Sequence, residues 1–175
     1  MQLFKGIRRP VELVCVAGIP VRADRRWFVV LALMTAVTAA SINAQVRNWA
    51  ASMGLGAATT LIFFLSIFLH ELAHAIIARL ERLEVVEIVL HPFGGLTRFA
   101  REPQTPRAEF RIAIAGPVAS FALAVMFVLL MALANTGELD VLRDLLFLLA
   151  LANFLLAVFN LLPGYPLDGG RLLRA

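Results

Sequence analysis

Charged residues are scarce in this chain of 175 residues: they make up 16% of it, against about 25% in soluble globular domains. Hydrophobic residues make up 61%. A chain of this length must keep much of its surface exposed, and so few polar residues cannot cover that surface. The composition therefore excludes an ordinary soluble domain and predicts a membrane protein.

Cysteine is nearly absent, since Cys15 is the only one in the chain. A single cysteine excludes an internal disulfide framework and a cysteine-rich zinc module. We therefore expect Cys15 to serve only as a small apolar residue.

Long gaps between ionisable residues predict helices that span a membrane. Four of these gaps exceed the roughly 20 residues that a helix needs to cross the hydrocarbon core. The first helix follows a basic segment but is too long for a signal peptide, so we expect it to be retained. We predict an all-α polytopic membrane protein with about four transmembrane helices, near residues 27–46, 57–80, 110–135 and 143–162.

Basic residues are distributed unevenly between the two sides of these helices. Apart from Arg47 and Arg143, every Lys and Arg lies before the first helix, after the fourth, or in the segment from Arg79 to Arg111, which joins the second helix to the third and includes the adjoining helix ends. The positive-inside rule then predicts a multi-pass protein of the cell inner membrane with a cytoplasmic N-terminus. The net charge of +4 lies beside anionic lipid headgroups, so membrane lipid rather than nucleic acid is the expected partner.

Two segments outside the predicted helices have the composition of β-strands. Residues 11–23 contain β-branched residues around a Gly-Ile-Pro turn, and residues 85–90 lead through a glycine-containing turn to residues 96–99. We predict from these a small cytoplasmic-side β-sheet, followed by a linker at residues 101–106.

The second predicted span contains His70, Glu71 and His74. Histidines four positions apart lie on one face of a helix and can bind one metal ion, beside which Glu71 is placed to act on a water. Ionisable residues within a span are costly and usually mark functional sites. The alternative, polar residues that merely bridge helices, is less favoured for three such residues at this spacing. His91, the third histidine, is expected to be a surface or turn residue.

Asp168 follows the fourth apolar stretch in a segment interrupted by Pro163, Gly164 and Pro166. Two histidines leave a catalytic zinc short of its usual three protein ligands. A helix broken by proline and glycine is tolerated at membrane depth where it lines a cavity, and it could direct the Asp168 carboxylate toward the metal. The alternative is an aspartate that caps a following helix; beside the two histidines we favour the ligand.

The combination of these motifs resembles the site-2 protease family of intramembrane zinc metalloproteases. The resemblance extends over nearly the whole 1–175 chain. The segments that carry it are His70-Glu71-Leu72-Ala73-His74, Asn160 with Leu167-Asp168-Gly169-Gly170, Gly18-Ile19-Pro20-Val21, Pro92-Phe93-Gly94-Gly95, Arg101-Glu102-Pro103 and Ala115-Gly116-Pro117.

This resemblance implies one Zn²⁺ per chain, held by His70, His74 and Asp168, with Glu71 as the general base and Asn160 beside the reacting carbonyl. The implied activity is zinc-dependent hydrolysis of peptide bonds in transmembrane segments of single-span client proteins in a prokaryotic inner membrane. Family members of this type generally have further helices and regulatory domains, so we expect residues 1–175 to be a core truncated at its C-terminus.

Alternative functions remain open at this point. One is an inactive or regulatory relative that binds client helices without cutting them, and another is a divalent-metal transporter. Asn153 is a weaker candidate than Asn160 for the oxyanion donor, and we expect it to pack between helices. The sequence leaves open whether the chain forms a homo-oligomer.

Residues 85–96 are predicted to hold the client by its backbone. Glu84 and Glu87 lie where a buried strand should carry no charge, which favours an exposed edge strand with the N–H of Val89 directed at the client. Gly94 and Gly95 would let the chain turn back toward the zinc and approach the client closely. The alternative is an ordinary hairpin that covers the mouth of the site.

Overall fold

The computed structural model describes residues 10–91, 94–134, 140–164 and 167–175. Four long helices, one short helix and four strands make up this part of the chain. In chain order they are β1 (Val11–Val16), β2 (Ile19–Ala23), α1 (Arg25–Val46), α2 (Trp49–Leu80), β3 (Val85–His91), β4 (Gly94–Phe99), α3 (Pro106–Leu133), α4 (Asp140–Asn160) and α5 (Asp168–Arg174).

Helices α1 to α4 are each long and apolar enough to cross a membrane. They confirm the predicted architecture of about four spans with a small sheet, and the chain is a multi-pass membrane protein. The bounds differ most at α2, which begins at Trp49 rather than near residue 57. Asn48 explains this difference, because its side chain accepts a hydrogen bond from the N–H of Ala51 and so caps the helix earlier.

Polar caps mark where the other spans begin. The side chain of Asp24 accepts from the N–H of Arg26 at the start of α1, and that of Thr105 accepts from the N–H of Ala108 at the start of α3. Pro106 occupies the first turn of α3, where its missing N–H costs nothing. The predicted linker at residues 101–106 therefore ends in a helix start signal.

The first hairpin turns at Ala17 and Gly18, one residue earlier than the predicted Gly-Ile-Pro turn. Both residues have positive φ, 50° and 78°. A two-residue turn with positive φ at both positions matches the right-handed twist of paired strands. Ile19 and Pro20 consequently belong to β2.

The four strands form one sheet in the order β1-β2-β3-β4. β2 and β3 are parallel, whereas the outer pairs are antiparallel. Val89 on β3 therefore pairs with Arg22 on one side and Leu96 on the other, and its side chain is 2% exposed. The prediction that Val89 lies on an exposed edge is wrong; the edge on this side is β4, which carries Gly94 and Gly95.

Glu87 explains why the sequence suggested an exposed strand. Its carboxylate is buried, but Arg22 and Arg98 each donate a hydrogen bond to it at 2.8 Å. A buried charge is tolerated when it is paired in this way. The two arginines lie on the neighbouring strands β2 and β4. The pairing that balances the Glu87 charge therefore appears only in the folded structure.

The sheet packs against α2, which places β4 beside the His-Glu-His segment. The shared core contains buried apolar side chains from the sheet, α1 and α2. Among them are Ile19, Val21, Ile88, Trp27, Phe64, Ile67 and Ala75. Burial of this kind contributes about 25 cal/mol per Å² of apolar surface removed from water, so the sheet is held to α2 by a hydrophobic interface as well as by hydrogen bonds.

The chain breaks between α4 and α5, as predicted. Leu167 donates its N–H to the carbonyl of Gly164 at 2.9 Å, and a Cβ on Gly169 would overlap the carbonyls of Leu161 and Leu162. Only glycine therefore allows α5 to approach the end of α4 this closely. Pro166 and the Pro92-Phe93 pair lie outside the described residues.

Candidate metal centre

Three buried side chains converge between α2 and α5. Atom Oδ2 of Asp168 lies 3.2 Å from Nε2 of His70 and 3.2 Å from Nε2 of His74. The two Nε2 atoms are also 3.2 Å apart. Among the residues the structure describes, these three form the group of His, Cys, Asp and Glu side chains with metal-binding geometry.

These separations fit a tetrahedral zinc site. With Zn–N and Zn–O distances of about 2.0–2.1 Å, two ligand atoms of a tetrahedron lie about 3.3 Å apart. The observed 3.2 Å separations are close to that value for all three pairs. Two histidines and one carboxylate are also a usual ligand set for catalytic zinc, in which a fourth position stays open.

Helix α3 orients both imidazoles from the opposite side. Nδ1 of His74 lies 2.7 Å from the carbonyl of Ile112, which can only accept, so Nδ1 carries the proton. Nδ1 of His70 lies 2.8 Å from the hydroxyl of Ser120. In neutral His74 this leaves the Nε2 lone pair for the metal, and the Ser120 hydroxyl can accept from Nδ1 of His70 so that its Nε2 is left in the same way, as outer partners of metal ligands commonly do.

Asp168 is charged in this environment. Burial would raise the pKa of its carboxyl, but in the metal-free site the imidazoles of His70 and His74, when Nε2 carries a proton, donate to it, outweigh burial and hold that pKa well below its usual value. The ionised carboxylate is the form that binds a metal.

Gly116 makes room for the two histidines. A Cβ at this position would overlap Nε2 of both His70 and His74. The sequence alone assigned no role to Gly116 or Ser120, although a signal was present: Ile112, Gly116 and Ser120 are spaced four residues apart and so share one face of α3. Small residues on a membrane helix are more often explained by helix packing alone.

We expect Gly116→Ala to weaken zinc binding about 10–100-fold, the effect typical of groups that position metal ligands. The added methyl must displace both imidazoles from their present positions. Competition with a chromophoric zinc chelator on the detergent-purified protein measures the change in affinity.

Gly54→Ala is the matched control for this substitution. Gly54 lies in α2, where an added Cβ would meet nothing within 4 Å, so zinc affinity should stay at the unsubstituted level. Equal affinities of the two variants would show that Gly116 does not limit the site.

Glu71 lies beside this group without belonging to it. Its side chain is 7% exposed, and Oε2 accepts a hydrogen bond of 2.7 Å from the hydroxyl of Thr97 on β4. The same hydroxyl lies 3.1 Å from the backbone carbonyl of Glu71. A Cβ on Gly95 would overlap the Glu71 carboxylate, so the edge strand packs directly on this side chain.

The two asparagines of α4 have different surroundings. Asn153 is fully buried and donates to the hydroxyl of Ser66 at 3.2 Å, which confirms its predicted packing between helices. Asn160 is half-buried at the end of α4 and donates to the carbonyl of Leu156 within its own helix. The described hydrogen bonds do not join Asn160 to the metal centre, and its catalytic role stays a prediction.

Comparison with known proteins places these residues in a family context. The model of peptidase family M50 matches residues 58–140 and 131–175. Rip3 of Mycobacterium tuberculosis, a protein named as a zinc metalloprotease, is 40% identical over 172 residues, which are 97% of this chain and 44% of the relative. A zinc metalloprotease of Methanocaldococcus jannaschii is 36% identical over 116 residues, 66% of this chain and 33% of the relative.

A solved structure shares the fold. The site-2 protease from Methanocaldococcus jannaschii superposes with a TM-score of 0.68 and 28% sequence identity, covering 95% of this chain and 70% of that chain. The present chain spans less than half the length of the curated relatives that it matches.

Proposed function

The chain belongs to peptidase family M50, and we propose from this that it is a zinc-dependent endopeptidase that hydrolyses peptide bonds in membrane-spanning segments of client proteins. The observation that carries the proposal is the convergence of His70, His74 and Asp168 at zinc-ligand separations, with Glu71 adjacent. Family membership and the names of the relatives imply the zinc cofactor.

His70, His74 and Asp168 are proposed as the zinc ligands, since the donor set and its spacing fit that ion. Zinc bound there would supply a Lewis acid that activates water and polarises the scissile carbonyl. The side chains contribute orientation: Ser120 and the carbonyl of Ile112 keep the imidazoles aimed at one point.

Glu71 is proposed as the general base. Its carboxylate would take a proton from the attacking water and return it to the leaving nitrogen. The hydroxyl of Thr97 donates to Oε2 of Glu71, which fixes the rotamer and leaves Oε1 for the proton. Asn160 is proposed to donate its amide to the oxyanion, which requires that it exchange its present bond to Leu156.

The client is proposed to be a single-span membrane protein, because the family acts on membrane-embedded substrates. Its helix must unwind locally, since intact helical hydrogen bonds hide the scissile carbonyl. The outer edge of β4 can accept the backbone groups that unwinding frees, and Gly94 and Gly95 would allow a close approach there. We further propose a prokaryotic plasma membrane, a cytoplasmic N-terminus and a cytoplasmic sheet.

The alternatives raised by the sequence are less well supported. A non-cutting relative has no need of a carboxylate at Glu71 held in place by Thr97. A transporter would require polar ligands distributed through several spans, whereas within the described residues the metal-binding group comes from α2 and α5 alone. Neither alternative is favoured.

Metal removal tests the proposed function. The substrate is a synthetic single-span peptide with a fluorophore and a quencher at opposite ends, mixed with the purified protein in detergent micelles. We expect a zinc chelator to abolish cleavage and added Zn²⁺ to restore it, because water activation depends on the metal. Cleavage that persists at full rate after zinc has been stripped would refute a metalloprotease.

A further inference from the structure

A charged groove of about 590 Å³ opens beside β4, between the connection to α3, the first turns of α3 and α5. Two of its lining residues contact side chains of the proposed active site. Thr97, which donates to Glu71, and Ile112, whose carbonyl accepts from His74, both line it. A chain that leaves the scissile bond along β4 would therefore enter this groove.

Four arginines and two glutamates contribute to the lining of the groove. Both glutamates are paired: Arg174 lies 2.6 Å from Glu109 and 3.6 Å from Glu102. Arg98 is paired with Glu87 of β3. Pairing with these carboxylates thus neutralises part of the positive charge.

Arg101 and Arg171 keep their charge available. Among the described residues neither has a carboxylate within ion-pair distance, and the guanidinium of Arg171 lies 5.8 Å from the centre of the Phe99 ring. Stacking on a ring leaves the edge of a guanidinium free to donate to a carboxylate. The groove therefore has an excess of positive charge contributed by these two arginines.

We propose that this groove selects clients carrying an aspartate or glutamate beside the cleaved segment, and that Arg101 and Arg171 bind that carboxylate. The inference rests on the proposed protease function and names its substrate class. Arginine binds carboxylates through paired, charge-assisted hydrogen bonds, and a partly enclosed groove screens such bonds less than open surface does.

The distance between Thr97 and Arg101 limits the position of the acidic residue. β4 ends at Phe99 and Arg101 follows two residues later, so at about 3.3 Å per extended residue Arg101 lies at most about 13 Å from Thr97. A client paired along β4 would place its carboxylate about four residues from the scissile bond. A charge is costly within the hydrocarbon core, so the acidic residue belongs to the segment flanking the client's span.

Anionic lipid headgroups are the competing occupant. They would bind any exposed arginine on this face of the protein. A lipid site gives no reason for the groove to begin at Thr97 and Ile112, next to the proposed base and metal ligand, and this continuity favours the client.

Binding to two synthetic single-span peptides tests the proposal. The peptides differ only in one residue, which lies in the first turn flanking the span, about four positions from the bond expected to be cleaved, and is aspartate in one and lysine in the other. Fluorescence anisotropy measures their binding to zinc-loaded Glu71→Gln protein in non-ionic detergent micelles, so the peptide is not consumed. We expect the aspartate peptide to bind about tenfold more tightly, as one charged hydrogen-bonded contact allows, and Arg101→Glu to reverse this preference.

Arg107→Glu is the matched control, because Arg107 is exposed on the same side of the protein and does not line the groove. It should leave the preference unchanged. A preference that is absent in the unsubstituted groove, or lost equally in both variants, would overturn the proposal. Arg101→Gln should remove the preference without reversing it, and retained zinc content shows that each variant is folded.

Two further measurements are needed. The first distinguishes a groove that binds clients from one that binds lipid, and the second tests the groove's selectivity separately from the protease activity. If vesicles containing phosphatidylglycerol bind Arg101→Glu less well while the peptide preference is unchanged, the groove is a lipid site and the proposal is wrong. If unsubstituted protein binds the aspartate peptide selectively but cleaves neither peptide, the proposed protease function fails while the groove assignment stands.

Discussion

Replacing Glu71 by glutamine is expected to abolish cleavage of the single-span peptide while zinc stays bound. Glutamine keeps the shape of the side chain and can still accept from Thr97, but it cannot take a proton from water. Loss of a general base typically lowers the rate about 10²–10⁴-fold. Initial rates on the quenched peptide, together with elemental analysis of the same preparation, measure both properties.

Glu84→Gln provides the control for the change of charge, since Glu84 is exposed in the turn before β3. It should cleave at the unsubstituted rate. Activity of Glu71→Gln within a factor of two of this control would rule out Glu71 as the base.

Replacing Asp168 by alanine is expected to lower zinc affinity by more than the roughly 10–100-fold that outer partners of metal ligands contribute. The substitution would remove one of three ligand atoms and leave two neutral imidazoles, with no negative charge to balance the cation. His70→Ala and His74→Ala should have the same consequence. Chelator competition gives the affinities, and cleavage should fall in parallel with zinc occupancy.

Asp140→Ala removes an exposed carboxylate at the start of α4 and should leave zinc binding unchanged. If Asp168→Ala bound zinc as tightly as this control, the third ligand would have to be another group.

The spans and the pair of histidines in the candidate metal centre could be predicted because they depend on short-range patterns. A transmembrane helix needs only a sufficient apolar length, and His70 and His74 share a helix face whatever surrounds them. Asp168 was harder, since it is distant in the sequence. The proline and glycine residues before it nevertheless indicated a broken helix, and the structure confirms the break.

The sheet order could not be predicted, because a parallel pair depends on which distant strands meet. β2 and β3 are separated by two membrane helices, and their pairing moves Val89 from a supposed edge to the interior. Glu87 led to a wrong prediction for a related reason. Its charge suggested a strand exposed to solvent, whereas arginines on both neighbouring strands pair with the buried carboxylate. Gly116 and Ser120 were missed because their roles depend on contacts across a helix interface.

The contact between Glu71 and β4 means that the proposed catalytic groups depend on two different parts of the molecule, the helices and the sheet. The proposed metal ligands belong to helices, but the carboxylate that would move the proton is held in its rotamer by Thr97 and confined by Gly95, which both belong to the sheet. A displacement of the sheet would therefore stop proton transfer and leave the ion in place. On the proposed mechanism, catalytic competence and metal retention would be separable, so a protein fully loaded with zinc could be switched off through the sheet.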